Sequence, residues 1–211
     1  MASTGTRQLL SRDERKAQIL LTAAAAFSRQ GYAATSVEEV AAEAGITKLI
    51  VYRHFESKAE LYEAILEQVG TRLVEEWTLA TDAGHISGGG VQTMLNVARE
   101  LPDGFRLLFV HARREQEFES FAEDVRALQL VLADHLLGDR LPPGPFRAWV
   151  VNMMIDYLVS SVLEWLDVGD PELDDWWVEK ATIGIRAAVT SWVLEDATWL
   201  PVTTPGAPLQ R

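Results

Sequence analysis

These 211 residues predict an all-α chain, and three observations carry that prediction. No segment alternates apolar and polar residues as a half-buried strand does. Apolar positions instead recur every three or four residues through most of the chain, and the periodic stretches are bounded by capping residues and glycines. The clearest case is residues 36–55, SVEEVAAEAGITKLIVYRHF. Ser36 with Glu39 makes a capping box: the hydroxyl takes the Glu39 amide proton while the carboxylate reaches back. Val37, Val40, Ala41 and Ala44 follow at helical spacing. Gly45 stands where that helix must stop, a position that favours a left-handed backbone. Thr47 is placed to cap a second helix, Lys48 to about His54, whose buried side is Ile46, Val51 and Phe55, and Ala41 is small enough for the two to cross closely. Together they read as a helix-turn-helix; the same geometry taken alone fits an ordinary helical hairpin in a core equally well.

The other elements follow in order. Residues 1–10 carry no period and read as an arm. Ser11 or Arg12 to about Gln30 is rich in strong helix formers, with Ile19, Ala23, Ala26 and Phe27 on one face, Gly31 as its stop and Tyr32 folding back. Glu56-Ser57-Lys58 caps a long helix to Thr78 or Leu79, with Leu61, Ile65, Val69, Leu73 and Trp77 along one stripe, a connector by its length. Residues 81–90, TDAGHISGGG, read as a flexible loop. Helices are then expected at Val91–Glu100, from Pro102 or Asp103 to Arg113 or Arg114, at Glu117–Leu137, at Phe146–Asp167 beyond the LPPGP break, and from Glu172 to about Trp199. The tail, with three prolines and no packing pattern, is expected to be disordered. The domains are thus 1–58, an arm and helix-turn-helix head; 59–200, a helical unit whose residues 59–79 form the connector; and 201–211, a tail.

Net charge is −12, which looks wrong for a protein that meets phosphates. Its distribution softens the conflict: residues 1–70 hold 8 Lys+Arg against 9 Asp+Glu, and residues 71–211 hold 11 against 22. Arg7, Arg12, Arg15 and Lys16 cluster before the first helix; Lys48, Arg53, His54 and Lys58 cluster around the second helix of the motif. Such charges also fit a merely solvated face. Cysteine is absent, which excludes disulfides and thiolate-ligated metal. No apolar run reads as long enough to span a bilayer and no signal-peptide pattern is seen, so a cytoplasmic protein without a membrane partner is expected. The four histidines, His54, His85, His111 and His135, show no paired ligand spacing, and no nucleophile elbow, P-loop or dinucleotide fingerprint is present. An enzyme, a metal or a cofactor is not expected.

Residues 19–66, ILLTAAAAFSRQGYAATSVEEVAAEAGITKLIVYRHFESKAELYEAIL, resemble the N-terminal domain of the tetracycline-repressor (TetR) family of bacterial transcription regulators. The match is ordered: F-x-x-x-G-Y, then T-S-V-x-x-V-A-x-x-A-G-I-T-K, then V-Y-x-H-F-x-S-K-x-x-L. The segment 103–118, DGFRLLFVHARREQEF, resembles a stretch of some members' C-terminal domains more weakly. The resemblance implies that Lys48–His54 enters a major groove of a double-stranded operator, with Thr47 and Lys48 at its leading end. It also implies backbone contacts from Tyr52, His54 and Lys58, with Arg53 in the same basic cluster, and phosphate contacts from Thr35 and Ser36. Where family members usually carry a small residue this chain has Leu49, beside Ile50; these either meet thymine methyls or pack into the head's own core.

The resemblance further implies a C-terminal domain that senses a small molecule and dimerises. Phe105, Arg106, Phe109, His111, Phe121, Met153, Tyr157 and Trp165 are the candidate ligand contacts, although side chains at helical spacing also serve as plain core. Seven tryptophans favour an apolar or aromatic effector. Ala181, Gly184, Ala188 and Ser191, flanked by Ile185 and Trp192, form a strip of small residues that suits a homodimer interface or, alternatively, packing on the preceding helix. The function expected is a homodimeric repressor that releases its operator when the effector binds. The alternatives are a ligand-dependent activator and a helical protein–protein adaptor.

Overall fold

The computed structural model describes residues 10–82 and 89–193. The expected arm at 1–9, most of the expected loop (with His85) and everything from residue 194 lie outside the described residues. Local chemistry fixes the helix ends of the head. Helix α1 (Arg12–Gln30) starts at Ser11, whose hydroxyl accepts from the Glu14 N–H at 3.2 Å while the Glu14 carboxylate accepts from the Ser11 N–H at 2.7 Å. Helix α2 (Val37–Glu43) starts with the expected Ser36–Glu39 box, at 3.2 and 2.8 Å. Gly45 turns the chain at φ +66°, and the Ile46 N–H closes the turn on the Ala41 carbonyl at 2.9 Å. Helix α3 (Lys48–Tyr52) ends two residues before the expected His54 and lacks its expected cap: Thr47 has the extended backbone of a cap, but its hydroxyl makes no capping bond. Helix α4 (Lys58–Asp82) is capped by Ser57, which accepts from the Glu60 N–H at 3.0 Å.

Helices α5 (Gly89–Glu100), α6 (Pro102–Arg106), α7 (Glu119–Leu137), α8 (Pro145–Val168) and α9 (Asp174–Val193) build the rest of the described chain, which contains no strand among the described residues. The single helix expected over 102–114 is instead α6, a π-helical turn at Leu107–His111 and a 3-10 turn at Ala112–Arg114. A π turn adds a residue and rotates the following side chains. Here Phe105, Leu107, Leu108 and Ala112 are all buried, because the run is wedged between α1, α4 and α5.

One core runs through both halves of the chain. It joins Ile19, Phe27, Val40, Val51, Phe55 and Tyr62 of the head to Leu95, Phe105, Phe118 and Val162 below it. At the junction Tyr62 stacks on Phe118 at 4.2 Å, and Tyr32 meets Phe118 edge-on at 4.8 Å. The connector α4 therefore does not carry the head alone; α1 packs on α6 as well. A second cluster, including Leu137, Leu141, Val150 and Ile155, fills the space between α7 and α8. Helix α8 corrects the reading that no run is long and apolar enough to span a bilayer. Its length and mean hydropathy of 1.2 would suffice, and 22% of that stretch is buried within one chain.

Candidate nucleic-acid interface

Turn and caps together decide which side chains α3 presents. Val51 and Phe55 anchor it inward, while Thr47, Lys48, Leu49, Tyr52 and Arg53 are exposed. Leu49 is 61% exposed, so it is not a core residue; Ile50 is half-buried. Helix α1 is tied to this ridge by the Gln18 side-chain amide, which donates to the Ala44 carbonyl at 3.1 Å. That contact brings the two basic clusters of the sequence together. His54 is held below the ordinary histidine range by burial and then by the charges of Arg12, Lys16 and Arg15, with Asp13 opposing. The Lys16 ammonium also lies 5.7 Å from the centre of the Phe55 ring.

Two of the expected phosphate ligands have internal tasks, and the remaining cations differ in how free they are. Thr35 is 1% exposed and its hydroxyl donates to the Gly31 carbonyl at 2.8 Å, so it closes the α1–α2 turn and does not reach a phosphate. The Ser36 hydroxyl is held in its capping box, beside the first-turn carboxylates of Glu38 and Glu39, which would repel an anion there. Local backbone demand takes both hydroxyls. Lys58 donates to the carbonyls of Tyr32 (2.9 Å) and Thr35 (3.1 Å) over the Tyr32 ring, which leaves one of its three ammonium protons for another partner. Lys48 pairs with Glu38; the pair raises the pKa of the amine and lowers that of the carboxyl, and at an exposed site such a pair exchanges readily.

The candidate ligand residues do not surround one space. Phe105 is core, 4.5 Å from Phe109. Arg106 pairs with Asp167 at 2.8 Å. Trp165 donates to Asp174 at 2.7 Å and stacks on Trp177, which spends it on holding α8 to α9. Phe121 packs on the main core, and His111 and Met153 are half-buried. Of the eight, only Phe109 lines the cavity of about 170 Å³ between the π turn, α7 and α8.

The small-residue strip likewise faces inward. A Cβ on Gly184 would lie 2.7 Å from the Tyr157 hydroxyl, Tyr157 donates to the Ala181 carbonyl at 3.4 Å, and Trp192 meets Trp149 at 5.1 Å. The strip thus packs on α8 of its own chain, the alternative the sequence left open. The outward apolar residues are others, Trp176 (54% exposed) and Ile183 (52%) on α9 and Phe146 and Trp149 on α8; their seven-residue spacing on α9 was the signal in the sequence that the small residues obscured.

Residues 19–65 match the model for bacterial regulatory proteins of the tetR family. Over 104 residues the chain is 35% identical to the HTH-type transcriptional activator FasR of Mycolicibacterium smegmatis, a match covering 47% of this chain and 48% of that one. Over 130 residues it is 32% identical to the HTH-type transcriptional repressor Rv3405c of Mycobacterium tuberculosis, covering 62% and 66%. The chain thus spans about half to two thirds of the length of these relatives. Its fold is similar to the crystal structure of a TetR-like transcriptional regulator from Rhodococcus sp. RHA1, with a TM-score of 0.71 at 21% identity over 87% of this chain and 97% of that one.

Proposed function

The chain belongs to the tetR family of bacterial regulatory proteins, and from that premise we propose that it is a homodimeric, ligand-responsive transcription factor acting in the cytoplasm on operator DNA. The observation that carries this reading is the α3 ridge. Thr47, Lys48, Leu49, Tyr52 and Arg53 project together, with Arg12, Arg15, Lys16 and His54 beside them. The basic side chains take phosphates and fix register, while Thr47, Lys48 and Leu49 reach base edges. Two heads on one two-fold axis meet half-sites about 34–36 Å apart. The exposed Trp176 and Ile183 on α9, and Phe146 and Trp149 on the lightly buried α8, are outward apolar side chains that a second copy covers.

The sign of regulation is repression. The named repressor matches a longer stretch of this chain than the named activator does; a ligand-dependent activator is the second reading, supported by the FasR match. Effector binding in the helices below the head favours a state whose heads are wrongly spaced, which takes a coupling of about 1–3 kcal/mol. The deciding experiment is a gel-shift of the full chain on its own upstream DNA and on a random-site library, at low and raised salt. A sequence-selective complex that weakens steeply with salt is expected. Failure on both DNAs would leave a helical adaptor as the surviving alternative.

A further inference from the structure

We propose that the cavity between the π turn, α7 and α8 binds a small amphipathic anion: a carboxylate carrying a compact apolar body. This rests on the regulator reading above and names the class of its effector. The cavity measures about 170 Å³. That is the liquid volume of roughly six waters and lies below the usual range of sites for drug-sized ligands. That space matches a compact body better than a nucleotide or a long acyl chain.

Its floor is apolar, made by Leu108 and Phe109 of the π turn, Ala122 of α7, and Val159 and Leu163 of α8. A fully hydrated ion such as inorganic phosphate would be stripped of water against five side chains that offer it no donor. The charge sits at the rim and is positive on balance: Arg113 and Arg126 against Asp156. Arg126 bridges α7 to α8 through Asp156 and Asn152, each at 2.9 Å, and still has donors to spare, since a guanidinium carries five. Arg113 is exposed and meets no carboxylate among the described residues. A carboxylate entering here finds a planar fork suited to two-point binding, while a cation attracted by Asp156 would face two guanidinium groups. Gln129 and Ser160 complete the rim and are neutral, so they do not alter this choice.

The location also provides a readout. Leu108 and Phe109 belong to the π turn that packs on α1 and α4. A body pressed against them acts on the two helices that hold the DNA-facing ridge.

Benzoate is the probe, tested on the full chain by calorimetric titration and thermal unfolding. Benzamide (neutral, same shape), benzylamine (cationic) and inorganic phosphate are the comparators. Benzoate is expected to bind and to raise the melting temperature, with affinity at least about tenfold above each comparator. Arg113→Gln, at an exposed position, is expected to weaken benzoate about tenfold and leave the ligand-free melting temperature unchanged. Ala122→Leu fills the floor and is expected to abolish binding; if that variant does not fold, Arg113→Gln decides alone. Equal binding of benzamide or benzylamine, no binding of benzoate up to about 10 mM, or an unchanged affinity in Arg113→Gln would each overturn the proposal. A gel-shift on the same preparation separates the two failures. Intact DNA binding without benzoate binding removes only the anion site, and lost DNA binding with benzoate retained removes the regulator reading.

Discussion

Arginines in the head and arginines in the C-terminal helices spend their charge differently. Below the head the guanidinium groups of Arg72, Arg99, Arg106, Arg126 and Arg147 are committed to carboxylates of the same chain. Arg72 reaches Glu75, Glu76 and Glu100 at 2.7–2.9 Å, Arg99 holds Asp174 at 2.7 Å, and Arg106 and Arg126 hold Asp167 and Asp156. In the head, Arg29 pairs with Glu43 and Lys48 with Glu38, yet Arg12, Arg15, Lys16 and Arg53 meet no carboxylate among the described residues. A cation whose counter-charge is built into the fold contributes rigidity and little to an external polyanion. A cation left unpaired can replace the condensed counterions of DNA, which is where the free energy and salt dependence of such binding arise. The total of −12 therefore says less about DNA binding than the location of the unpaired charges does.

Removing a committed arginine is the severest way to break this contrast. Arg99 binds both carboxylate oxygens of Asp174, at 2.9 and 2.7 Å, and Trp165 donates to the same group, so α5, α8 and α9 meet there. Arg99→Gln is expected to cost about 1–3 kcal/mol in urea unfolding, because a mostly buried carboxylate loses its charged partner. The salt dependence of DNA binding should not change. Acid dependence gives the sign. Asp174 titrates below the ordinary aspartate value of 3.8, chiefly through its bond to Arg99. Its contribution is thus complete above that value and lost as pH falls towards the folded-state pKa, and the variant should lose part of that acid sensitivity. A variant as stable as the parent would mean the pairs below the head are incidental.

The opposite substitution, in the head, should move the opposite quantity. Among the described residues Arg15 donates to the neutral Gln18 side chain, at 2.6 Å, and meets no carboxylate. Arg15→Gln is expected to change unfolding free energy by no more than about 0.5 kcal/mol, to weaken binding to any DNA sequence alike, and to lower the salt slope by about 1. Salt-series gel-shifts measure both. An unchanged slope would place Arg15 off the DNA path and narrow the ridge to α3.

The two regions were also unequally legible in the sequence, for a related reason. Ser36, Glu39 and Gly45 act on backbone groups within four residues of themselves, so their roles are written locally and the structure repeats them. Thr35 and Thr47 were misread because a hydroxyl near a helix start has two local uses. Thr35 turned back to the Gly31 carbonyl, while Thr47 made no cap at all. Below the head the needed information is nonlocal. Spacing showed that Ala181, Gly184 and Ala188 share a face of α9, but which helix meets that face depends on Tyr157, 24 residues back from Ala181 along the chain. The π turn at Leu107–His111 resets the helical period mid-run, so Leu108 and Phe109 reach the cavity while Phe105, four residues before Phe109, stays in the core. Arg113 and Arg126 were missed because surface-like arginines carry no sequence mark of a shared cavity.

A finer contrast lies within the ridge itself, between charge that would hold DNA and shape that would read it. Leu49 is 61% exposed among cationic and phenolic neighbours, and an aliphatic group there gains by covering a thymine methyl. In an operator obtained by site selection, replacing each thymine in turn by deoxyuridine removes one methyl and no charge. One position per half-site is expected to lose about 0.8 kcal/mol, roughly a fourfold drop in affinity, and Leu49→Ala should make that position indifferent to the change. Thymine-independent binding at every position would confine α3's readout to Thr47 and Lys48.

His54 gives the smallest effect and the one that tests the free charges without altering them. Burial and the charges of Arg12, Lys16 and Arg15 depress its pKa below the ordinary 6.5. In the free protein the unfolded chain therefore binds the proton more readily, so head stability should fall slightly as pH drops from 6.5 through the folded-state pKa. On DNA, phosphates would neutralise the same three cations and favour the imidazolium, raising that pKa. A group whose pKa rises on binding takes up a proton, so affinity must increase as pH falls through the bound-state value. The expected gain between about pH 8 and about pH 6 is a few-fold, with His54→Gln flat across that range. The two trends have opposite signs, so a general loss of fold at low pH cannot imitate the gain in affinity. If affinity instead stayed level or fell with acidification in the parent chain, DNA would not be neutralising the cations beside His54, and the α1 end of the ridge would belong to the solvent rather than to the operator.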